Sequence, residues 1–221
     1  MKNDLVERLT QLDSCALSDA LDRLERLSVV LGLRPVSVPR RIAGRVITVQ
    51  LEKADGRPST RHLGTAAIES SGPGDVIVVA HAGRLDVSGW GGLLSLGAVM
   101  HGVAGVIVDG ACRDVDESRD LDLPVYARTT VPVTARGRVI ETAWNEPVTI
   151  GDVAVTPGDL VLADGSGIVF LPAAYAEEII AAAEQIAARE QAMAQALRSG
   201  RSITQVMGTS YEELLSKQRK E

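Results

Sequence analysis

Arg113 and Asp114 stand side by side at the end of the run Asp109-Gly-Ala-Cys-Arg-Asp, directly after the β-branched stretch Gly105-Val-Ile-Val. An acid and a base at the C-terminal end of a buried strand occupy the place where open α/β sheets hold ligands. Upstream, Gly89, Gly91 and Gly92 precede the apolar run Leu93 to Met100. Glycines there leave a backbone without side-chain bulk, and the N–H groups that open a helix have no partner inside it, so a ligand carboxylate fits that place. Each piece also has a plainer reading. A glycine-rich turn is often only a loop entering a helix, and an adjacent Arg-Asp pair is usually a solvated surface pair. Asp109 more often closes a strand by accepting backbone N–H groups than it binds a metal, and Cys112 reads as a small packed residue. The combination of anion-ready turn, buried strand and charged pair makes Arg113 and Asp114 the first candidates.

Three further side chains come near this stretch. Val76 to Ala80 reads as an apolar strand that delivers His81 to the loop before the glycines, and Arg61-His62-Leu-Gly leads into a helix ending near Glu69. A lone histidine more often bonds backbone groups than a ligand. Trp90 reads equally as packing or as pocket wall. His101-Gly102 reads as a helix end, with a cation on the dipole and glycine in the left-handed cap.

The elements that must position these residues alternate between helix and strand. Leu5 to Leu12 has helical spacing, Asp13-Ser14 opens a second helix through Leu24, and Ile42 to Leu51 alternates as a strand. After Arg128 come short β segments, at Val131 to Thr134, Val148 to Ile150, Val153 to Val155, Asp159 to Ala163 and Gly167 to Leu171, with Gly151-Asp152 as a hairpin turn. Ala173 to Leu197 is a long alanine-rich helix with Pro172 in its first turn, suited to close packing against another subunit. Gly200 stops it, a short helix follows near Ile203 to Met207, and the charged tail to Glu221 reads as fraying. The expectation is one α/β domain over residues 1–221, with a core at about 14–172 and terminal helices at 4–27 and 173–216.

With 221 residues, 45% hydrophobic and 24% charged, the chain is ordinary for a soluble globular protein. A net charge of −6 and 3% aromatic residues leave neither a basic stripe nor stacking platforms, so nucleic acid is not expected as a partner. Two cysteines without CxxC spacing and no leader-like start point to a reducing cytoplasm. No apolar run reaches the roughly 18 to 20 residues that cross a bilayer, so no membrane partner is expected.

The order of glycine turn, helix, HGVAGVIVDGACRD and LPVYAR, together with RHLGTAAIE, SGPGDVIVV and PGDLVLADGSGIVFLP, resembles one family over most of residues 4 to 195. It is the family of the 4-hydroxy-4-methyl-2-oxoglutarate and 4-carboxy-4-hydroxy-2-oxoadipate aldolases and the regulator of ribonuclease E activity A. The resemblance implies a layered αββα sandwich of the swivelling β/β/α type, built into homo-oligomers, trimers or hexamers, with sites near subunit boundaries. It implies a divalent metal, Mg²⁺ or Mn²⁺, held by Asp114, with Arg113 on a small 2-oxo acid and the N–H groups of Leu93 and Leu94, after Gly91 and Gly92, on the substrate carboxylate. It also implies a glutamate sent from the long helix into the neighbour's site, for which Glu190 is the nearest match. One position departs from the pattern. Where Gly92 stands, the aldolase members usually carry an acidic residue that helps hold the water on the metal.

Cleaving a carbon–carbon bond beside a 2-oxo acid needs a sink for the electrons of the enolate, either a lysine Schiff base or a metal. The lysines are Lys2, Lys53, Lys217 and Lys220, none of them in the central motifs, which leaves the metal route. The expectation is a metal-dependent aldolase or oxaloacetate decarboxylase, with decarboxylation less dependent on the acid missing at Gly92. Two alternatives stay open: a non-catalytic regulator that binds a ribonuclease, and a related lyase or hydratase with another substrate.

Overall fold

The structure, a computed structural model, describes residues 2–208. In chain order it contains α1 (Lys2–Thr10), α2 (Ser14–Arg23), β1 (Val29–Val30), β2 (Arg34–Pro35), β3 (Ile42–Lys53), α3 (Thr65–Ser70), β4 (Val76–Ser88), α4 (Gly92–Met100), β5 (Gly105–Cys112), α5 (Val115–Asp120) and β6 (Val125–Thr130). It continues with β7 (Val139–Trp144), β8 (Val148–Ile150), β9 (Val153–Val155), β10 (Leu160–Ala163), β11 (Ile168–Leu171), α6 (Ala176–Arg198) and α7 (Ile203–Val206).

β3 organises the sheets. Its first residues, Ile42 to Arg45, pair antiparallel with β10, and Val46 to Gln50 pair in parallel with β4. From there the order runs β4-β5-β6, all parallel, with β2 at the edge, while β10 leads the other way to β11 and β1. β8 and β9 form a separate hairpin through Gly151, which takes φ 57°. The apolar side chains fall into three cores. One lies between α3, α4 and the parallel strands, with Val79, Trp90, Leu94 and Val108. A second joins the two β layers through Val46, Val78, Ile107, Val161 and Phe170. The third seats α1, α2 and α6 on β10 and β11 through Leu17, Leu21, Leu162 and Ile180. Helix, sheet, sheet and helix therefore stack as four layers, the αββα sandwich anticipated above.

The local chemistry follows the sequence closely in the centre. Every residue of β5 is buried, as a β-branched strand covered on both faces requires. Asp13 caps α2 by accepting the Ala16 N–H at 2.8 Å. His101 is the C-cap of α4 and Gly102 follows at φ 73°. Arg8 of α1 pairs with Glu177 and Glu184 of α6 at 2.7 and 2.8 Å, holding the first helix onto the last long one.

Several expectations need correction. Val131 to Thr134 forms no strand. Pro132 removes a ladder donor there, and the segment instead offers the Val133 carbonyl to the Ser88 N–H at 3.1 Å. β7 went unread. β4 and β5 run on past Ala80 and Val108, carrying His81 and Asp109 as strand residues. β4 does so with bulges at which Ala82 and Gly83 take positive φ. Pro172 precedes α6 instead of lying in its first turn, because the helix begins at Ala176. The apolar stripe of α6, with Ile179, Ile180 and Ala183, is buried within the same chain. The charged tail from residue 209 lies outside the described residues.

Candidate functional site

α4 begins where the C-terminal ends of β4 and β5 leave the sheet. Gly91 is its N-cap, in extended backbone with no side chain to cap the helix. Its place is set by Arg113, whose N–H donates to the Trp90 carbonyl at 3.0 Å, so the end of β5 is tied to the glycine turn. A Cβ on Gly91 would lie 2.8 Å from Asp114 Oδ2 and 3.3 Å from Arg113 Nε. A side chain there would push the Asp114 carboxylate and the Arg113 side chain from their places.

Asp114 occupies the left-handed region, at φ 55° and ψ 39°. Among non-glycine residues aspartate is one of the few that tolerate it, and such outliers collect at ligand sites. As N-cap of α5 it makes no side-chain cap bond. Its carboxylate turns instead to the neighbouring helix, where Oδ2 accepts the Gly92 N–H at 3.0 Å and lies 3.1 Å from Arg113 Nε. The Arg113 and Asp114 side chains are 38% and 31% exposed, enough to meet a ligand from solvent. Gly92 thus spends its N–H on Asp114. The Leu93 and Leu94 N–H groups, which have no partner inside the helix, are the donors that remain at the positive end of the dipole.

The chain therefore brings Gly91, Gly92, Leu93, Leu94, Arg113 and Asp114 to one place. Other candidates separate from them. His81 is buried, with Nε2 2.9 Å from the Val87 carbonyl, and burial pushes its pKa down; it is a packed backbone-bonding histidine, the plainer of its two readings. His62 is exposed on the loop before α3. Trp90 is 2% exposed and belongs to the core beneath α4. Cys112 is packed as anticipated, its thiol pushed up to about 12 by burial. Glu190 is exposed on α6, in the helical layer opposite α4 and α5, so within one chain it does not join the group.

Asp109 uses both carboxylate oxygens for structure. It pairs with Arg128 Nε at 2.5 Å and accepts the Gly151 N–H at 2.9 Å, which ties β5 to the β8–β9 hairpin. The pair lines a separate open cleft of roughly 700 Å³ that also includes Gln50, Thr149 and Asp152 and none of the residues around Asp114.

The support beneath the site was not legible beforehand. The Trp90 indole donates to the buried Ser95 hydroxyl at 3.0 Å, and that hydroxyl meets Ser118 Oγ of α5 at 2.9 Å. These bonds lock α4 to α5 and so fix Arg113 and Asp114 relative to the helix start. Ser95→Ala leaves the indole N–H unpaired in the core and is expected to lower unfolding stability by about 1–3 kcal/mol, read from the urea midpoint.

Glu141 of β7 lies buried at the start of α3, where Gly64 is the N-cap. Its Oε2 accepts the Gly64 N–H at 2.6 Å, Oε1 makes no hydrogen bond, and the exposed Arg61 stands 3.6 Å away. Burial pushes this carboxyl above its ordinary range, against the smaller opposing pull of Gly64 and Arg61. A raised folded pKa means that stability is fully present below the unfolded value of 4.5 and is lost as pH rises through the folded one. Glu141→Gln has no such titration. Its melting temperature is expected to gain on the wild type as pH rises above 4.5, with the two closest at the acid end.

The family model described as RraA-like, Aldolase/RraA, matches residues 14–170. A protein of Alcanivorax borkumensis named "Putative 4-hydroxy-4-methyl-2-oxoglutarate aldolase" is 37% identical over 163 residues, 73% of this chain and 96% of that one. Protein DlpA of Legionella pneumophila is 28% identical over 202 residues, 91% of this chain, which spans only 33% of that protein's length. The crystal structure of Streptomyces coelicolor RraAS2, titled an unusual member of the RNase ES inhibitor RraA protein family, superposes with a TM-score of 0.79 at 30% identity, covering 85% of this chain and 95% of the other.

Proposed function

The chain belongs to the RraA-like family, and on that footing we propose that it is a divalent-metal-dependent lyase acting on a 2-oxo acid, of the 4-hydroxy-4-methyl-2-oxoglutarate aldolase or oxaloacetate decarboxylase type. The observation that carries the reading is the seating of Arg113 and Asp114 against the first turn of α4. There a guanidinium and a carboxylate meet at the start of the helix that carries the Leu93 and Leu94 N–H groups.

The residues fit a hard cation that needs few protein ligands. Among the described residues no three His, Cys, Asp or Glu side chains converge, but Asp114 Oδ1 is left over at a half-exposed carboxylate. Mg²⁺ or Mn²⁺ held by one or two carboxylates, keeping several waters, suits such a donor set. When bound, the cation supplies the sink for electrons released as the carbon–carbon bond breaks. The chain's own groups do the rest. The Leu93 and Leu94 N–H groups orient the substrate carboxylate at the helix start. Arg113 stabilises charge that develops on the 2-oxo oxygen as the enolate of pyruvate forms. In the cleavage direction water takes the proton of the distal hydroxyl, and that oxygen becomes the carbonyl of one product as the carbon–carbon bond breaks. The electron pair passes to the enolate of pyruvate, and the enolate carbon then takes a proton from water. Decarboxylation of oxaloacetate reaches the same enolate with loss of CO₂ and no hydroxyl proton to remove.

A homo-oligomer, trimer or hexamer, belongs to the same proposal. Leu93, Leu96 and Met100 are exposed along α4 beside the site, and a second copy of the chain covering that apolar face removes it from water. The test of the activity is pyruvate release from oxaloacetate and from 4-hydroxy-4-methyl-2-oxoglutarate, with Mg²⁺ and with excess chelator. Release that chelation stops is the expected result; release unaffected by chelation overturns the metal reading. The regulator reading is favoured by one observation, the bare α-carbon at Gly92. Its signature is chelator-insensitive capture of a ribonuclease with no pyruvate formed from either acid.

A further inference from the structure

We infer that Glu117 supplies the second carboxylate of the cation seat, in the space left by the missing side chain of Gly92. This rests on the metal-dependent reading above and adds a residue to it.

The geometry is specific. A Cβ added to Gly92 would fall on Glu117 Oε2, 2.6 Å from Glu117 Cδ and 3.2 Å from Asp114 Cβ. The place a side chain at position 92 would take, beside Asp114, is already filled by a carboxylate that arrives from another helix. Asp114 is the N-cap of α5 and Glu117 the third residue of that helix, so both stand in its first turn, which packs beside the start of α4. Asp114 makes no cap bond to α5, and Glu117 lies in the first turn of that helix; both acids come against the start of α4.

Glu117 is exposed to solvent, and the two carboxylates differ in what engages them. Asp114 Oδ2 is engaged by the Gly92 N–H and Arg113. Among the described residues no hydrogen bond or ion pair reaches the Glu117 carboxylate. Two acceptor-only groups thus flank the start of α4 on either side of the Gly92 Cβ position, beside one guanidinium, a set of oxygen donors of the kind a divalent cation prefers. The plainer account is that Glu117 only complements the dipole of α4. It differs in an observable way, since a dipole contact needs no cation and confers no affinity for one.

Gly92 and Glu117 are thereby coupled. Any side chain at 92 displaces Glu117, and an acid placed at 92 takes over its position. Gly92 does not have positive φ, and the first turn of a helix favours aspartate, so the role can be moved by substitution.

The experiment is a Mn²⁺ titration of the full chain, without substrate, followed by the electron paramagnetic resonance signal of free Mn²⁺. It compares wild type, Glu117→Gln, Glu117→Ala and the double variant Gly92→Asp/Glu117→Ala. Glu117→Gln keeps the size and shape of the side chain, so a lost affinity in that variant is not a folding defect. We expect both Glu117 variants to bind Mn²⁺ about 10- to 100-fold more weakly and the double variant to recover most of that loss. Wild-type affinity in Glu117→Gln, or a double variant no better than Glu117→Ala, overturns the shared role of the two positions while leaving the metal reading intact. A wild type that binds no Mn²⁺ sinks the metal reading itself.

Discussion

Replacing Asp114 with asparagine is expected to remove metal-dependent pyruvate release from both test acids, by about 10³-fold or more. A carboxylate that holds a Lewis acid contributes several kcal/mol to transition-state stabilisation, and each 1.36 kcal/mol is tenfold in rate. Asparagine is the cleaner substitution because it tolerates the left-handed backbone of residue 114 and can still accept the Gly92 N–H, whereas alanine adds roughly 1 kcal/mol of backbone strain. Arg113→Ala removes a charge-stabilising donor and is expected to lower turnover by about 10²- to 10³-fold. Arg113→Lys keeps the charge but loses the fork that meets a carboxylate or enolate oxygen, and belongs between the two. Steady-state kinetics on the four proteins at saturating Mg²⁺ measure all of this. Wild-type turnover in both Asp114→Asn and Arg113→Ala would remove the assignment.

The second large effect is on folding. Gly44→Ala is expected to destabilise the protein by about 3 kcal/mol, the upper end for overpacking. A Cβ at Gly44 would fall on the Gly74 carbonyl oxygen and lie 3.0 Å from Val76 Cγ2. The turn before β4 therefore sits directly on β3. Backbone cannot swing aside as a side-chain tip can. Gly165→Ala is the control, since nothing stands within 4 Å of a Cβ there, and its effect should stay within about 0.5 kcal/mol. Denaturant midpoints of the two variants decide the point.

Much of this fold is written in local patterns. β5 is a β-branched run, α4 is apolar and preceded by glycine, and Gly151 and Gly102 sit where positive φ is needed, each a signal carried by neighbouring residues. What stayed hidden depends on residues far apart in sequence. β7 has no clean alternation because it buries Val139, Ile140 and Glu141 in succession, against a bulge opposite Gln50 and Leu51. β4 looks finished at Ala80 because His81 and Arg84 interrupt the apolar run, yet pairing with β5 carries it to Ser88. The same holds at the site. Arg113 and Asp114 were legible from strand end and charge, and the glycine turn from composition. The left-handed backbone of Asp114, the serine bridge between α4 and α5 and the arrival of Glu117 at Gly92 are products of packing, for which short-range spacing carries no signal.

The sharing of β3 between both β layers reaches beyond architecture. Two sheets joined only by loops can open one at a time, each as its own unit of local unfolding. Here a single strand gives the backbone hydrogen bonds of its first residues, Ile42 to Arg45, to one layer and those of the rest to the other. Peeling either sheet away strips pairing from the strand that the other one keeps. The sandwich should therefore lose its order in one cooperative event, with the amides of Val46 to Gln50 among the last to exchange with solvent.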